Sequence, residues 1–312
     1  MLAWLSRRKK GPGWLAFTID EQAVSYVIGH NAGRGKAQIA RYGRHAVQGG
    51  GPHPEKFARE LHADRHQCST LLRPGEYQML LVEAPSVPQN ELKSAIRWRI
   101  KDMIDYHVDD AALDVLDIPA EESPAGARSH SMYAIAARND VIQSCIERSE
   151  SLRVPLSVIE IPETAQRNIA SLFEMEGDAR GIALLHLDER SSLLTVNCRG
   201  ELFLARRFEI GLEHLRGARD DATDRILLEL RRTFDHFERQ FRNASIGRLL
   251  LAPQPGRDSL AARFADELGL AVETADLGAV LAFDGNGTPD AETQWRLFHL
   301  FGAALRYEAK AL

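Results

Sequence analysis

Hydrophobic and polar positions alternate along Trp14–Ile28, and the alternation resumes at Ala37–Tyr42 after the Gly-rich stretch GHNAGRGK. A period of two with a turn signal between the runs predicts a β-hairpin with one buried face. A loop at 49–54 (GGGPHP) precedes a short helix over Glu55–Ala63, and the apolar run Tyr77–Glu83 reads as a buried strand. Behind Pro88, a residue suited to a helix start, Leu92, Ala95, Ile96, Arg99, Ile100, Met103 and Ile104 recur at helical spacing and predict a helix over 88–104. Strands at Ala112–Ile118 and Met132–Ala137 flank a polar Pro/Gly/Ser loop. A helix over Asp140–Leu152, a strand at Leu156–Ile161 and a helix over Pro162–Glu174 follow. Segment 84–158 therefore has the order helix, strand, strand, helix, strand, which is that of a small α+β module.

The second half restarts the theme of the first. Strands are expected at Gly181–Leu187, Leu193–Cys198 and Glu201–Ile210, with the LHLDE of the first strand end matching the FTIDE near residue 17. Asp224–Arg242 predicts the clearest helix, since Ile226, Leu230, Thr233, Phe234, Phe237 and Phe241 make one stripe. The buried strand GRLLLAP, a helix over Ser259–Leu268, a short strand at Val272–Ala275 and a last helix over Thr293–Ala309 complete the pattern. Two units of strand, turn, strand, turn, strand, then helices, describe a duplicated α/β core.

Length and charge narrow the function classes. The 312 residues suit two lobes better than one, and a net charge of −5 gives no general attraction to nucleic acid or to acidic membranes. Cys68, Cys145 and Cys198 are odd in number and widely spaced, which argues against a disulfide framework. No apolar run approaches the roughly 20 residues of a membrane span. The start, MLAWLSRRKK, has its apolar part before its cations and is no secretory signal. It reads as a soluble tail or as a weak foot on an anionic membrane surface. GHNAGRGKA lacks the P-loop spacing, and HADRH, with His62 and His66 one helical turn apart, lacks the Glu of a zincin helix, so both read as surface features. The arginines of 224–242 alternate with acids, as on a solvated face.

The ordered set of MLAWLSRRKK, ELKSAIRWRIKDMIDYHVDDAALDVLDI, VIEIPETAQRNIA, RILLELRRTFDHFERQF and GAALR resembles the PilM family of type IV pilus assembly proteins. Within it the match is nearest to the MshI variant of the mannose-sensitive haemagglutinin pilus, and it spans nearly all of the chain. The resemblance implies an actin-like, duplicated two-lobe α/β fold with an inserted α+β subdomain of the kind shared with FtsA. The division expected is lobe one at 1–83 and 159–178, the inserted subdomain at 84–158, lobe two at 179–292, and a final helix at 293–312 packing back on lobe one. It further implies a cytoplasmic scaffold, peripheral to the inner membrane. Its partner would be the N-terminal tail of a PilN-like or other haemagglutinin-pilus membrane protein, taken up between lobe one and the inserted subdomain, with no nucleic acid involved.

Departures from the family's pattern bear on ATP. Where its first phosphate motif reads Asp-x-Gly, this chain aligns Thr18 and Asp20, followed by Glu21; where its second does, the chain has His186 and Asp188, followed by Glu189. The Gly-rich adenosine turn corresponds to a segment holding Pro253 and Gly256. Each carboxylate standing about 5 Å from triphosphate oxygens costs ~3 kcal/mol at an effective dielectric near 20. A nucleotide cofactor is therefore not expected, and Asp20 and Asp188 read as turn residues that tolerate unusual backbone angles. A bridging Mg²⁺ would reverse that sign and leave an ATP-dependent switch as the alternative. A second alternative is a GspL-like cytoplasmic component of type II secretion, expected to continue into a membrane span that this sequence does not reach. The partner site is expected near Glu83, Ala84, Pro85 and Val87 with Trp98 and Arg99, since Trp98 lies off the apolar stripe of its helix.

Overall fold

Trp14–Ile19 (β1), Ala23–His30 (β2) and Ala37–Ala46 (β3) form an antiparallel meander in the computed structural model. The structure describes residues 13–30, 36–46, 54–119, 131–175, 177, 180–216, 221–241, 244–255 and 259–307. The alternation read as one strand over Trp14–Ile28 is two strands, because the chain reverses at Asp20–Gln22. Apolar residues lie on both sides of that turn in phase with the period, so the break is invisible in the pattern.

After a short helix, Pro54–Glu60 (α1), the chain enters Gln67–Leu71 (β4), which lies parallel to β1. β4 was not anticipated, because Cys68, Ser69 and Thr70 are all buried and a strand covered on both faces shows no alternation. His62 and His66 flank a single 3₁₀ turn rather than sharing a helix face.

Tyr77–Glu83 (β5), Gln89–Ile100 (α2), Ala111–Asp117 (β6), Ser131–Arg138 (β7) and Asn139–Ser151 (α3) build the inserted module. Its sheet has the order β5-β7-β6, all antiparallel, with Leu92, Ile96 and Ile100 of α2 packed on Val82, Val115, Met132 and Ala134. Because β5 pairs with β7, the module begins at residue 77 rather than 84. β5 is an edge strand with Leu81 exposed, not the buried strand its apolar run suggested. Helix α2 ends at Ile100, before the predicted 104, and Met103 stands in solvent.

Leu156–Glu160 (β8) returns to lobe one as a parallel edge strand beside β4, and Pro162–Ala170 (α4) leads out of it. Lobe two repeats the meander as Gly181–Leu187 (β9), Ser192–Cys198 (β10) and Glu201–Phe208 (β11). Leu212–Leu215 (α5), Asp221–Gln240 (α6), Ile246–Leu251 (β12), Ser259–Leu268 (α7) and Ala271–Thr274 (β13) complete it, in the sheet order β11-β10-β9-β12-β13. The α6 stripe buries Ile226, Leu230, Thr233 and Phe237, as its period requires.

Leu277–Val280 (α8) and Leu281–Phe283 (β14) were not anticipated. β14 pairs in parallel with β3, so the chain rejoins the lobe-one sheet inside the stretch assigned to lobe two. Ala291–Ala304 (α9) then crosses between the sheets against α4, β1 and β2. Its Leu297, Phe298 and Phe301 share one core with Ala16, Val27 and Ile39 of lobe one and with Leu184 and Leu250 of lobe two. At the crossing of α4 and α9 a Cβ on Gly302 would stand 2.0 Å from the Ala165 carbonyl oxygen, so only glycine lets these backbones approach. Asn168 of α4 donates to the Gly302 carbonyl at 3.0 Å and fixes the register.

Candidate functional sites: an interlobe cleft and an edge-strand groove

The β1–β2 and β9–β10 turns face each other across a cleft of about 350 Å³. Four of the sequence-predicted residues, Thr18, Asp20, His186 and Asp188, line it together. Glu21 and Glu189 do not, and the Glu189 carboxylate turns instead to Arg216 at 2.8 Å. Pro253 is buried after β12 and does not reach the cleft, while Gly256 lies outside the described residues, as do the N-terminal ten residues and the Gly-rich stretch 31–35.

Each turn is closed by its own carboxylate. Asp20 Oδ1 accepts the backbone N–H groups of Gln22 (2.8 Å) and Ala23 (2.7 Å), and the Asp20 N–H donates to the Ala23 carbonyl at 2.9 Å. Asp188 Oδ1 accepts the Glu189 N–H at 2.8 Å, and the Asp188 N–H donates to the Ser191 carbonyl at 2.9 Å. The second turn is also backed by Gly211, where a Cβ would meet the Asp188 carbonyl oxygen at 2.4 Å. Neither aspartate has a positive φ, in contrast to the unusual angles expected of them. They hold the turns through side-chain acceptors instead.

Arg44, Arg73, Trp295, Arg296 and His299 also line the cleft, and sequence reasoning missed all five. They come from β3, the β4–β5 connection and α9, which no short motif links. Arg44 stands 3.6 Å from Asp20, Arg73 donates to the Ile19 carbonyl, and Arg296 pairs with Glu292 at 2.6 Å.

His186 forms the floor. It is buried, stacked on Phe298 with ring centroids 5.2 Å apart, and its ring lies 4.5 Å from that of His299. Burial, opposed by Asp188 and by a hydrogen bond to the Trp295 backbone, lowers the His186 pKa to about 4. Burial, and then His186 itself, holds His299 well below the usual imidazole range. Gln166 donates to the Leu184 and Leu193 carbonyls (2.6 and 3.2 Å) and to Thr195 Oγ1 (3.1 Å), so its Oε1 is the acceptor for His299 Nε2 at 3.2 Å. Both imidazoles are thus neutral, and His186 Nε2 has no partner among the described residues.

These groups do not fit a magnesium-bound nucleoside triphosphate. The positions that would organise the metal carry a hydroxyl at Thr18 and an imidazole at His186. The turns that would offer backbone donors to phosphate already direct those of Gln22, Ala23 and Glu189 to Asp20 and Asp188.

The predicted partner residues gather at one end of the module. Trp98 is 71% exposed with Lys101 Nζ 5.5 Å from its ring centroid, Arg99 stands 3.8 Å from Glu83, Val87 is exposed, and Ala84 and Pro85 are half-buried. None of the six lines the groove that does lie between lobe one and the module. That groove, about 440 Å³, runs between Ile146, Ser149 and Glu150 of α3 and Leu156, Ser157 and Val158 of β8. β8 pairs with β4 on one side only, and no described strand covers its other edge. The polar and short look of LSVIE hid this edge in the sequence.

No protein-family model matches the sequence, and no curated protein does. Among solved structures, a PilM-PilN type IV pilus biogenesis complex is similar at 17% identity over 93% of this chain and 96% of that one, with a TM-score of 0.67. A Bacteroides thetaiotaomicron protein with actin-like ATPase fold and unknown function aligns over 96% of this chain and 99% of its own, at 9% identity and a TM-score of 0.47. The cytoplasmic domain of EpsL, an inner membrane component of the Vibrio cholerae type II secretion system, aligns over 91% and 93% at 12% identity and a TM-score of 0.45. The chain shares the α/β fold of the PilM-PilN structure, in line with the actin-like α/β fold its sequence led one to expect. Among the described residues no helix is long and apolar enough to cross a membrane.

Proposed function

We propose that this chain is a nucleotide-independent scaffold of a type IV pilus assembly machine, of the mannose-sensitive haemagglutinin kind. In this role it works at the cytoplasmic face of the inner membrane. It holds the extended N-terminal tail of a PilN-like inner-membrane protein in the groove between α3 and β8. One observation carries the proposal: the edge of β8 that no described strand covers flanks an apolar-walled groove formed with α3. An extended peptide adds to such an edge through main-chain hydrogen bonds, and alternate side chains enter the groove for specificity. The similarity in fold to a protein solved as a complex with PilN supports the choice of partner. The closed turns of the interlobe cleft support the absence of ATP chemistry.

The test is fluorescence anisotropy with labelled N-terminal peptides of pilus inner-membrane proteins. Ile146→Glu places a charge in the groove wall and is expected to weaken binding at least about tenfold, or ~1.4 kcal/mol. Trp98→Ala, on the far surface of the module, is expected to leave affinity unchanged. Binding that survives Ile146→Glu and disappears with Trp98→Ala contradicts the groove assignment.

A further inference from the structure

The two faces of the module's sheet have different neighbours. Val82, Val115, Met132 and Ala134 lie under α2, so by the alternation of a strand Met79, Leu116, Tyr133 and Ile135 point the other way. That second face lies on lobe two. Ile118 and Tyr133 are buried in one core with Leu204, Phe237 and Phe241, and Met79, Leu116 and Ile135 pack against it. Met79 and Ile135 also pack on the cluster that holds Leu72 and Ile161 of lobe one. The same two side chains thus form a wedge that touches apolar residues of both lobes.

Polar groups tie the wedge to lobe two. β11 is an edge strand, and its outward Ala205 N–H and Phe203 carbonyl need a partner in place of a neighbouring strand. The Tyr133 hydroxyl supplies it, accepting the Ala205 N–H at 3.2 Å and donating to the Phe203 carbonyl at 3.4 Å. Farther along β11, Arg207 donates to Glu163 Oε1 at 3.0 Å and to the Tyr77 hydroxyl at 3.3 Å, while Tyr77 donates to Glu163 Oε2. Glu163, in the first turn of α4, is 4% exposed, so separating this pair would leave a buried charge unmatched.

Two lobes around a cleft move relative to one another by default unless the contact between them is large and apolar. A hinge turns about one line of contact, and the crossing of α4 with α9 supplies one. The module's hold on β11 supplies another. A rotation of lobe two about the helix crossing shears β11 against the module, across the Tyr133 bonds and the apolar face beneath them.

We infer that the inserted module is a fixed brace between the lobes, which holds the interlobe cleft at one opening and removes the hinge closure open to a two-lobe fold. The brace deepens the scaffold reading above and rests on it for its purpose, since a rigid frame presents a partner surface without a nucleotide to set it. Its mechanics are testable without a partner.

Spin labels at Glu21→Cys and Arg190→Cys, exposed positions on the two facing turns, report the cleft opening by double electron–electron resonance of the full chain. The native Cys68, Cys145 and Cys198 are buried. A single narrow distance distribution is expected with the brace intact. Tyr133→Ala loses both the ring in the lobe-two core and the bonds to β11, and is expected to widen the distribution at least about twofold. Hydrogen exchange in β1 and β9 kept at the wild-type level shows that both lobes stay folded in that variant. Tyr77→Phe combined with Tyr133→Phe keeps both rings and removes only the hydroxyls. It is expected to widen the distribution to a smaller degree, and it alone decides where Tyr133→Ala unfolds. A broad or two-peaked distribution with the brace intact overturns the inference, as does an unchanged width in every variant that folds. Failure of the wild-type protein to bind any peptide in the anisotropy assay defeats the partner assignment, whereas the distance measurement still decides the brace.

Discussion

Asp20 does within its own turn what an anion bound there would do. Its carboxylate collects the N–H groups of Gln22 and Ala23, and Asp188 takes that of Glu189. Both aspartates were legible in the sequence as turn residues, and the structure places each in a turn between two strands. Their mechanism was not legible. Residues that tolerate unusual backbone angles were expected, and the two aspartates hold their turns as side-chain acceptors without a positive φ. His186 is the sharpest residue-scale test. Its folded pKa of about 4 lies below the unfolded value of 6.5, so the unfolded chain binds more protons between those values. Stability from keeping this imidazole neutral is fully present above about pH 6.5 and is lost as pH falls toward 4, by up to ~3 kcal/mol. Asp188, Arg207 and His299 share its surroundings, and His299 adds a loss of the same sign. Urea unfolding from pH 7 to pH 4.5 is expected to show a clearly shallower decline for His186→Gln than for wild type. Parallel declines contradict the buried neutral assignment.

At the scale of elements, the long periodic ones were readable and the short buried ones were not. Helix α6 announces itself through its spacing, since one face meets a core and the other meets water, whereas β9 and β10 are buried on both faces and are legible as apolar runs bounded by turns. β4, between β1 and β8, and β14, a three-residue strand at the other edge of the sheet, are short segments without alternation, and β4 even looks polar. The most exacting element contact is the crossing of α4 and α9. Replacing Gly302 by alanine gains about 1 kcal/mol of helix propensity but drives a methyl into the Ala165 carbonyl, an overpacking cost of about 3 kcal/mol or more. A net destabilisation near 2 kcal/mol is expected as a lower urea midpoint at unchanged slope. A midpoint equal to or above wild type would show that the helices part freely, and the shared core of the lobes would have to be looser than described.

The whole molecule joins two lobes and a module through side chains that no local pattern connects. Trp295, Arg296 and His299 enter the cleft from α9, more than a hundred residues after His186, while Arg44 and Arg73 enter from lobe one. Long-range convergence of this kind is fixed by topology, so it is absent from periodicity and spacing alike. The open strand edge at β8 has an ordinary sequence and becomes visible only when the sheet order is known. The architecture retains the frame of an actin-like protein, with facing hairpins at the mouth of a cleft, yet it directs the donors of those hairpins inward.

The central claim, that the cleft does not grip a nucleotide, is tested most directly by isothermal titration of the intact protein with ATP and excess magnesium. The expected result is heat of dilution alone up to a ligand concentration of about 1 mM, equivalent to binding weaker than ~4 kcal/mol. A saturable exotherm or endotherm with a Kd near 10 µM, about 7 kcal/mol, contradicts it.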